Sequence, residues 1–223
     1  MRSQPKIYLV HAAAISMPPI EASFQADWPH ARLAHLLDDS LFADFGRDQG
    51  LNDAMIERFR TLGGYCVAAG ADAIVFTCSA FGAAIDAVKR DQSIPVLKPN
   101  EALYDDMAAT PGRIALLATF APTLPSMMSE IEAHAQAHGR SSGARPQIDT
   151  HLVEGALEAL QAQRPDEHNR LIAEAAAAFA GHDAVALAQV SMAPARQLVQ
   201  ARVRGPVMTT PDSAIRKLKA LMA

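Results

Sequence analysis

Basic runs are missing from this 223-residue chain: 20 Lys and Arg against 24 Asp and Glu leave a net charge of −4 and no cationic stripe. That excludes the clustered cations of a nucleic-acid surface. Cysteine is nearly absent. Two thiols, Cys66 and Cys78, make neither a disulfide framework nor a Cys-rich metal site. No apolar run is long enough to span a bilayer, so no membrane partner is expected. No G-x-G-x-x-G follows the first expected strand and no P-loop occurs, which leaves phosphate and dinucleotide binding without support. His134 and His138 stand four apart on an expected helix with Glu130 as their one nearby partner, the pattern of an exposed helix face rather than a metal site. The first residues are basic and then apolar, as in a signal peptide. That apolar stretch contains His11 and recurs in mid-chain, so it reads as a first core strand, and the chain is expected in the cytoplasm.

What the chain does contain is a copy of itself. Residues 69–78 (AGADAIVFTC) align without a gap on 180–189 (AGHDAVALAQ), and the same spacing carries Pro95-Val96-Leu97 onto Pro206-Val207-Met208. Residues 7–14 resemble 114–121, and 35–41 resemble 151–157, which matches His35 with His151. Self-similarity at half the chain length means two copies of one supersecondary unit. The repeat sets Cys78 opposite Gln189, so a symmetry of shape carries an asymmetry of chemistry.

Within each half, short apolar runs alternate with amphipathic ones. Residues 7–11, 33–37, 73–77 and 96–97 read as strands in the first half, and 114–119, 148–153, 184–188 and 207–209 in the second. The central runs are continuously apolar, as in parallel strands buried on both faces. Residues 52–69, 123–138 and 165–180 read as helices, with Pro165, Asp166 and Glu167 marking a start and Gly70 and Gly181 marking ends. Residues 139–146 read as a polar loop. The alternation predicts an α/β protein of two pseudo-symmetric flavodoxin-like halves, each with a four-stranded parallel sheet and an active site in the cleft between them. The halves span 1–107 and 108–211, and a terminal helix over 212–223 is free to pack back on the first. Half the residues are hydrophobic and a fifth charged, enough to build such cores.

In open α/β sheets, ligands bind beyond the carboxyl ends of the strands, at the switch point of strand order. That selects the loops after the first and third strands of each half. They carry His11 and Ser16; Thr77, Cys78 and Ser79; Thr119 and Thr123; and Gln189 and Ser191. Hydroxyls and free N–H groups there suit a small carboxylate, although each hydroxyl alone is also an ordinary helix cap. Asp27-Trp28-Pro29 and Met17-Pro18-Pro19 are candidates for a wall or lid beside the first loop, with packing an equal alternative for Trp28. Cys66, inside a helix, reads as inert. Cys78 follows a strand where a helix begins, a position that lowers a thiol pKa. His35 and His151 read as structural.

The segments Phe76-Thr77-Cys78-Ser79, Leu117-Ala118-Thr119 with Thr123, and 187–193 (LAQVSMA) resemble the aspartate/glutamate/hydantoin racemase superfamily over nearly the whole chain. The resemblance implies two α/β halves with a cysteine at the end of a matched strand in each. One cysteine removes a proton beside a carboxylate or carbonyl, the other returns one to the opposite face, and no cofactor takes part. On this chain it implies Cys78 as an acid–base group, with Thr77, Ser79, Thr119, Thr123 and the loop from His11 to Ser16 holding substrate. Gln189 replaces the second cysteine and has no titratable proton. Three readings follow. A racemase or isomerase would recruit His11, a side chain suited to titration near neutrality, or Ser191. A single-cysteine decarboxylase of the arylmalonate type would protonate one face, the face opposite to that relative's because the retained thiol lies in the first half. A binding protein would use Gln189 as a clamp. The racemase ranks first. Cis–trans isomerisation of the maleate type fits less well, since those relatives keep both thiols. The resemblance implies that a homo-oligomer is possible, since the family's members are commonly dimers or larger, while the sequence itself does not give the oligomeric state.

Overall fold

The computed structural model describes residues 4–48, 50–137 and 145–223. The chain divides into two compact units, Met1–Ala102 with Ala214–Ala223, and Leu103–Ser213. Unit 1 holds a parallel sheet of β1 (Lys6–His11), β2 (Arg32–Leu37), β3 (Ala73–Phe76) and β4 (Val96–Leu97), in the order β2-β1-β3-β4. Helices α1 (Met17–Asp27), α2 (Leu41–Arg47), α3 (Asp53–Ala68) and α4 (Gly82–Asp91) connect the strands. Unit 2 repeats the plan with β5 (Arg113–Ala118), β6 (Gln147–Leu152), β7 (Ala184–Leu187) and β8 (Val207–Thr209), in the order β6-β5-β7-β8. Its helices are α6 (Thr123–Ala137), α7 (Ala156–Gln161), α8 (Pro165–Ala176) and α9 (Arg196–Gln200). The unit boundaries fall within α5 (Glu101–Ala109) and α10 (Thr210–Leu221). The chain is therefore α/β with two four-stranded parallel sheets.

Local chemistry explains the elements. The central strands AIVF and AVAL are buried at every position, because helices cover both faces of a parallel sheet. Asn52 caps α3 by accepting from the Met55 N–H at 2.9 Å, which satisfies one of the orphan donors of the first turn. Pro165 opens α8, with Asp166 and Glu167 in its first turn. Gly70 closes α3 in the left-handed region, at φ +82°. Gly181 does not play that part: α8 runs instead into a 3-10 turn over Ala177–Phe179.

One face of the unit 1 sheet presents Tyr8, Val10, Ile74 and Phe76 to Phe59, Phe81 and Val88. Phe59 lies 5.5 Å from Phe76 and 5.0 Å from Phe81, centroid to centroid. Each such ring contributes roughly 1.5–3 kcal/mol by leaving water. The equivalent face of unit 2 is aliphatic, with Ala115, Leu117, Val185 and Leu187 against Ile172, Ala176 and Val199. On its opposite face Ile114, Leu116, Ala184 and Ala186 pack with Leu103, Met107 and Met127.

Strand register corrects one expected match. Ile7 pairs with Leu33, and Ile114 pairs with Ile148, so the counterpart of His35 is Thr150 rather than His151. A slip of one residue changes the face of the sheet. His35 stands beside Leu9, on the His11 face, while His151 pairs with Leu117 and meets the Phe179 ring.

Gly112 shows how tightly the start of β5 is held. Its φ is +90°, and a Cβ there would lie 2.0 Å from Asp183 Oδ2. Swinging that oxygen aside would break its hydrogen bond from the Arg113 N–H, 2.7 Å long. Gly112→Ala should therefore destabilise the protein by about 1–3 kcal/mol and lower the unfolding midpoint by roughly 2–4 °C per kcal/mol. Scanning calorimetry reads the shift directly.

Candidate active site

In each sheet the strand order reverses direction beside the first strand of the unit, and the loops after β1 and β3, and after β5 and β7, leave the carboxyl edge there. Unit 1 gathers four polar side chains at that edge. His11 ends β1 and is fully buried. Its Nδ1 lies 2.9 Å from Thr77 Oγ1 and 3.0 Å from Ser16 Oγ, and the two hydroxyl oxygens are 3.0 Å apart. Ser16 donates to the Ala13 carbonyl at 2.8 Å. His11 Nε2 meets His35 Nδ1 at 3.0 Å. Sequence reading gave His35 a structural part. Its proximity to His11 follows from the pairing of β1 with β2, which no motif announces.

Burial, aided by the nearby His35 ring, pushes the His11 pKa down to about 4. This corrects the expectation of a base near neutrality. An imidazole that stays neutral through the physiological range is a hydrogen-bonding group.

Cys78 also departs from expectation, again toward its neutral form. It stands ahead of a single 3-10 turn, Ser79–Phe81, and α4 begins only at Gly82. A three-residue turn supplies little of the dipole that lowers a thiol pKa. The side chain packs instead with the Phe59–Phe76–Phe81 cluster. A crevice lined by Val10, Leu41, Phe59, Phe76 and Phe81 reaches Cys78 and His11 and has no room for a water molecule. Desolvation pushes the Cys78 thiol up to about 11, against the opposing effect of the Ala80 backbone N–H. It is a thiol, not a thiolate, at neutral pH. Ser79 beside it is exposed and Thr77 half-buried. Cys66, fully buried within α3, is likewise pushed up to about 11 by desolvation.

Unit 2 joins its matched pair differently. Gln189 Oε1 accepts from both the backbone N–H and the hydroxyl of Thr119, at 2.7 and 3.0 Å. The amide carbonyl that stands in the place of a thiol is thus spent on tying the β7 loop to the β5 loop. Thr123 is the first residue of α6, and Ser191 lies in the 3-10 turn after Gln189. Sequence reading missed His168, a buried residue of α8. It donates from Nδ1 to the Ala156 carbonyl at 2.7 Å, and its Nε2 lies 3.3 Å from the Ser191 carbonyl. His168 stands among the polar residues Asp166, Glu167, Asn169 and Arg170 of a helix start, a setting that reads as exposed and carries no signal of that buried contact.

Other expectations resolve as follows. Trp28 is no lid, for it ends α1 at the amino edge of the sheet, where Arg32 donates to Pro5. There it stacks on Phe24 and lies under Lys219 of α10. His134 pairs with Asp105 at 2.8 Å, while Glu130 accepts from Tyr104. His138 and most of the expected 139–146 loop lie outside the described residues. Among the described residues no group of three or more His, Cys, Asp or Glu is arranged to hold a metal, and no helix is long and apolar enough to cross a membrane. An apolar cavity of about 470 Å³ beside α5, α6 and β6 of unit 2 contains none of the carboxyl-edge residues.

Two matched α/β units with a thiol at the end of a central strand define a family. The Asp/Glu/hydantoin racemase model matches residues 3–218, and the chain belongs to that family. Solved structures agree on the fold. An aspartate racemase homologue from Pyrococcus horikoshii superposes with a TM-score of 0.65 at 14% identity, covering 97% of this chain and 98% of that one. Allantoin racemase from Klebsiella pneumoniae gives 0.63 at 18% identity, with 98% and 87% covered. Unliganded arylmalonate decarboxylase gives 0.62 at 16% identity, with 98% and 93% covered. No curated protein sequence matches this one.

Two measurements check these electrostatics. Iodoacetamide should alkylate Cys78 far more slowly at neutral pH than it does a free thiol, since thiolate is the reactive form; peptide mass mapping follows the rate. For His11, unfolded chains take up a proton below about 6.5 while the folded protein resists until about 4. The unfolded state then holds more protons, so stability should fall as pH drops through that window, by on the order of 3 kcal/mol. Above it both states are neutral and the effect vanishes. Urea titrations should show the slope in the wild type and lose it in His11→Asn.

Proposed function

We propose that this chain is a cofactor-independent enzyme that protonates a carbanion beside a carboxylate, with the Cys78 thiol as the acid and one face of the carbon served. The observation that carries the reading is the packing of Cys78 against Phe59, Phe76 and Phe81, which keeps water from its sulfur and holds the thiol protonated. Racemisation needs a base on one face and an acid on the other. A thiol held near 11 by desolvation is a poor base at neutral pH and a ready donor to a carbon more basic than itself. The matched residue, Gln189, has no proton to exchange and its carbonyl is already engaged. Loss of CO₂ from a substituted malonate supplies such a carbon. The C–CO₂ bond breaks, the electron pair remains as an enediolate, and the S–H proton passes to carbon. The resulting thiolate then takes a proton from water. Hydroxyls of Thr77 and Ser79 and the N–H groups of the following turn are suited to hold the remaining carboxylate.

A second reading, racemisation of a small carboxylate or amino-acid derivative, is favoured by membership of a racemase family. It requires a further acid–base group, for which Ser191 stands as the remaining candidate. The two are separated by proton NMR in D₂O with phenylmalonate, amino acids and hydantoins. One-face chemistry predicts CO₂ release and product deuterated at the α-carbon with a single handedness. Cys78→Ser should lower that rate by at least about 100-fold, the contribution of a positioned acid. Exchange with loss of handedness in an amino acid or hydantoin would install the racemase reading instead. A rate unaffected by Cys78→Ser overturns both.

A further inference from the structure

His35 of β2 is the one member of the polar cluster that the candidate loops do not themselves supply, and proton accounting gives it a definite role. Ser16 has one hydroxyl proton, and it points at the Ala13 carbonyl, 2.8 Å away. The 3.0 Å approach of His11 Nδ1 to Ser16 Oγ is then a hydrogen bond only when Nδ1 carries the proton. In a neutral ring that leaves a lone pair on Nε2. His35 Nδ1 lies 3.0 Å from it, and two facing lone pairs at that distance would repel. His35 Nδ1 therefore bears the hydrogen. The two rings are 16° from parallel planes, so this N–H lies close to the plane of the accepting lone pair.

We propose that His35 is a positioning residue: by donating to His11 Nε2 it holds His11 in the Nδ1–H tautomer and thereby turns the Thr77 hydroxyl into a donor toward an anionic group of the ligand. Thr77 Oγ1 accepts from His11 at 2.9 Å and keeps its own proton to give. Its acceptor at Val10 is 3.3 Å away, and that carbonyl already receives the Thr77 backbone N–H at 3.0 Å. A carboxylate oxygen is the stronger acceptor. Donors in series, His35 to His11 to hydroxyl, polarise one another in the same sense. The class of ligand, a small carboxylate, rests on the proton-transfer reading above; the tautomer does not.

Imidazole ¹⁵N NMR of the free, full-length protein tests the tautomer without any assay of turnover. His11 should show a protonated Nδ1 and a bare Nε2. In His35→Ala the Nε2–H form should gain about fivefold or more relative to wild type, the worth of one net hydrogen bond. His35→Asn, whose amide can donate from the same place, should restore the wild-type pattern. The anion part is read by titrating phenylmalonate as the probe. Its affinity should weaken about fivefold in His35→Ala and recover in His35→Asn. A wild-type His11 protonated on Nε2, or one whose tautomer ignores His35→Ala, overturns the positioning role. Absence of phenylmalonate binding to the wild type, or equal affinity in the Ala variant, overturns the anion assignment. Tautomers as expected in a protein that decarboxylates nothing would bring down the proton-transfer reading and leave the role of His35 standing.

Discussion

Exclusion of water from the carboxyl edge of the unit 1 sheet governs the chemistry open to this protein. Strand β3 and the Ile7–Val10 stretch of β1 are apolar and buried, as helices cover both faces, and the dryness extends to His11 and Phe76. Desolvation penalises charge of either sign. It therefore lowers the affinity of His11 for a proton and raises that of Cys78, by one cause acting on a base and on an acid. Both groups stay neutral over a wide range. Groups so placed are hydrogen-bonding partners and holders of a tightly bound proton.

The two units show how one frame carries different chemistry. Register, strand order and the turn after the central strand are repeated, while the matched loops are joined by unlike means. In unit 1 a triangle of His11, Ser16 and Thr77 links the β1 and β3 loops. In unit 2 one amide oxygen does the linking, by accepting twice from Thr119. The aromatic core behind Cys78 has an aliphatic counterpart behind Gln189. Where unit 1 carries a thiol, unit 2 thus carries a structural tie on the matched strand.

Much of this was legible in the sequence, because the signals were local or repeated. Continuous apolar runs marked the central strands, Asn52 and Pro165 lie at helix starts, and the recurrence of residues 69–78 revealed two units. The match of His35 to His151 misled, since two short segments look alike whichever way they face, and a shift of one residue in strand register moves the side chain to the other face of the sheet. The ionisation of Cys78 was misjudged for a related reason. Its place after a strand could be read, but Phe59 and Phe81, which exclude water from it, arrive from separate helical segments. Trp28 sat near the first loop in sequence and, across one helix, at the other edge of the sheet.

A thiol kept in its protonated form also stands apart from oxidative chemistry. Peroxides attack thiolates, and sulfenic acid formation follows thiolate character and exposure. Cys78 offers little of the first and sits half-covered by phenylalanine. The same crevice that withholds water from the sulfur withholds small polar oxidants, so this thiol is shielded from the redox state of its surroundings.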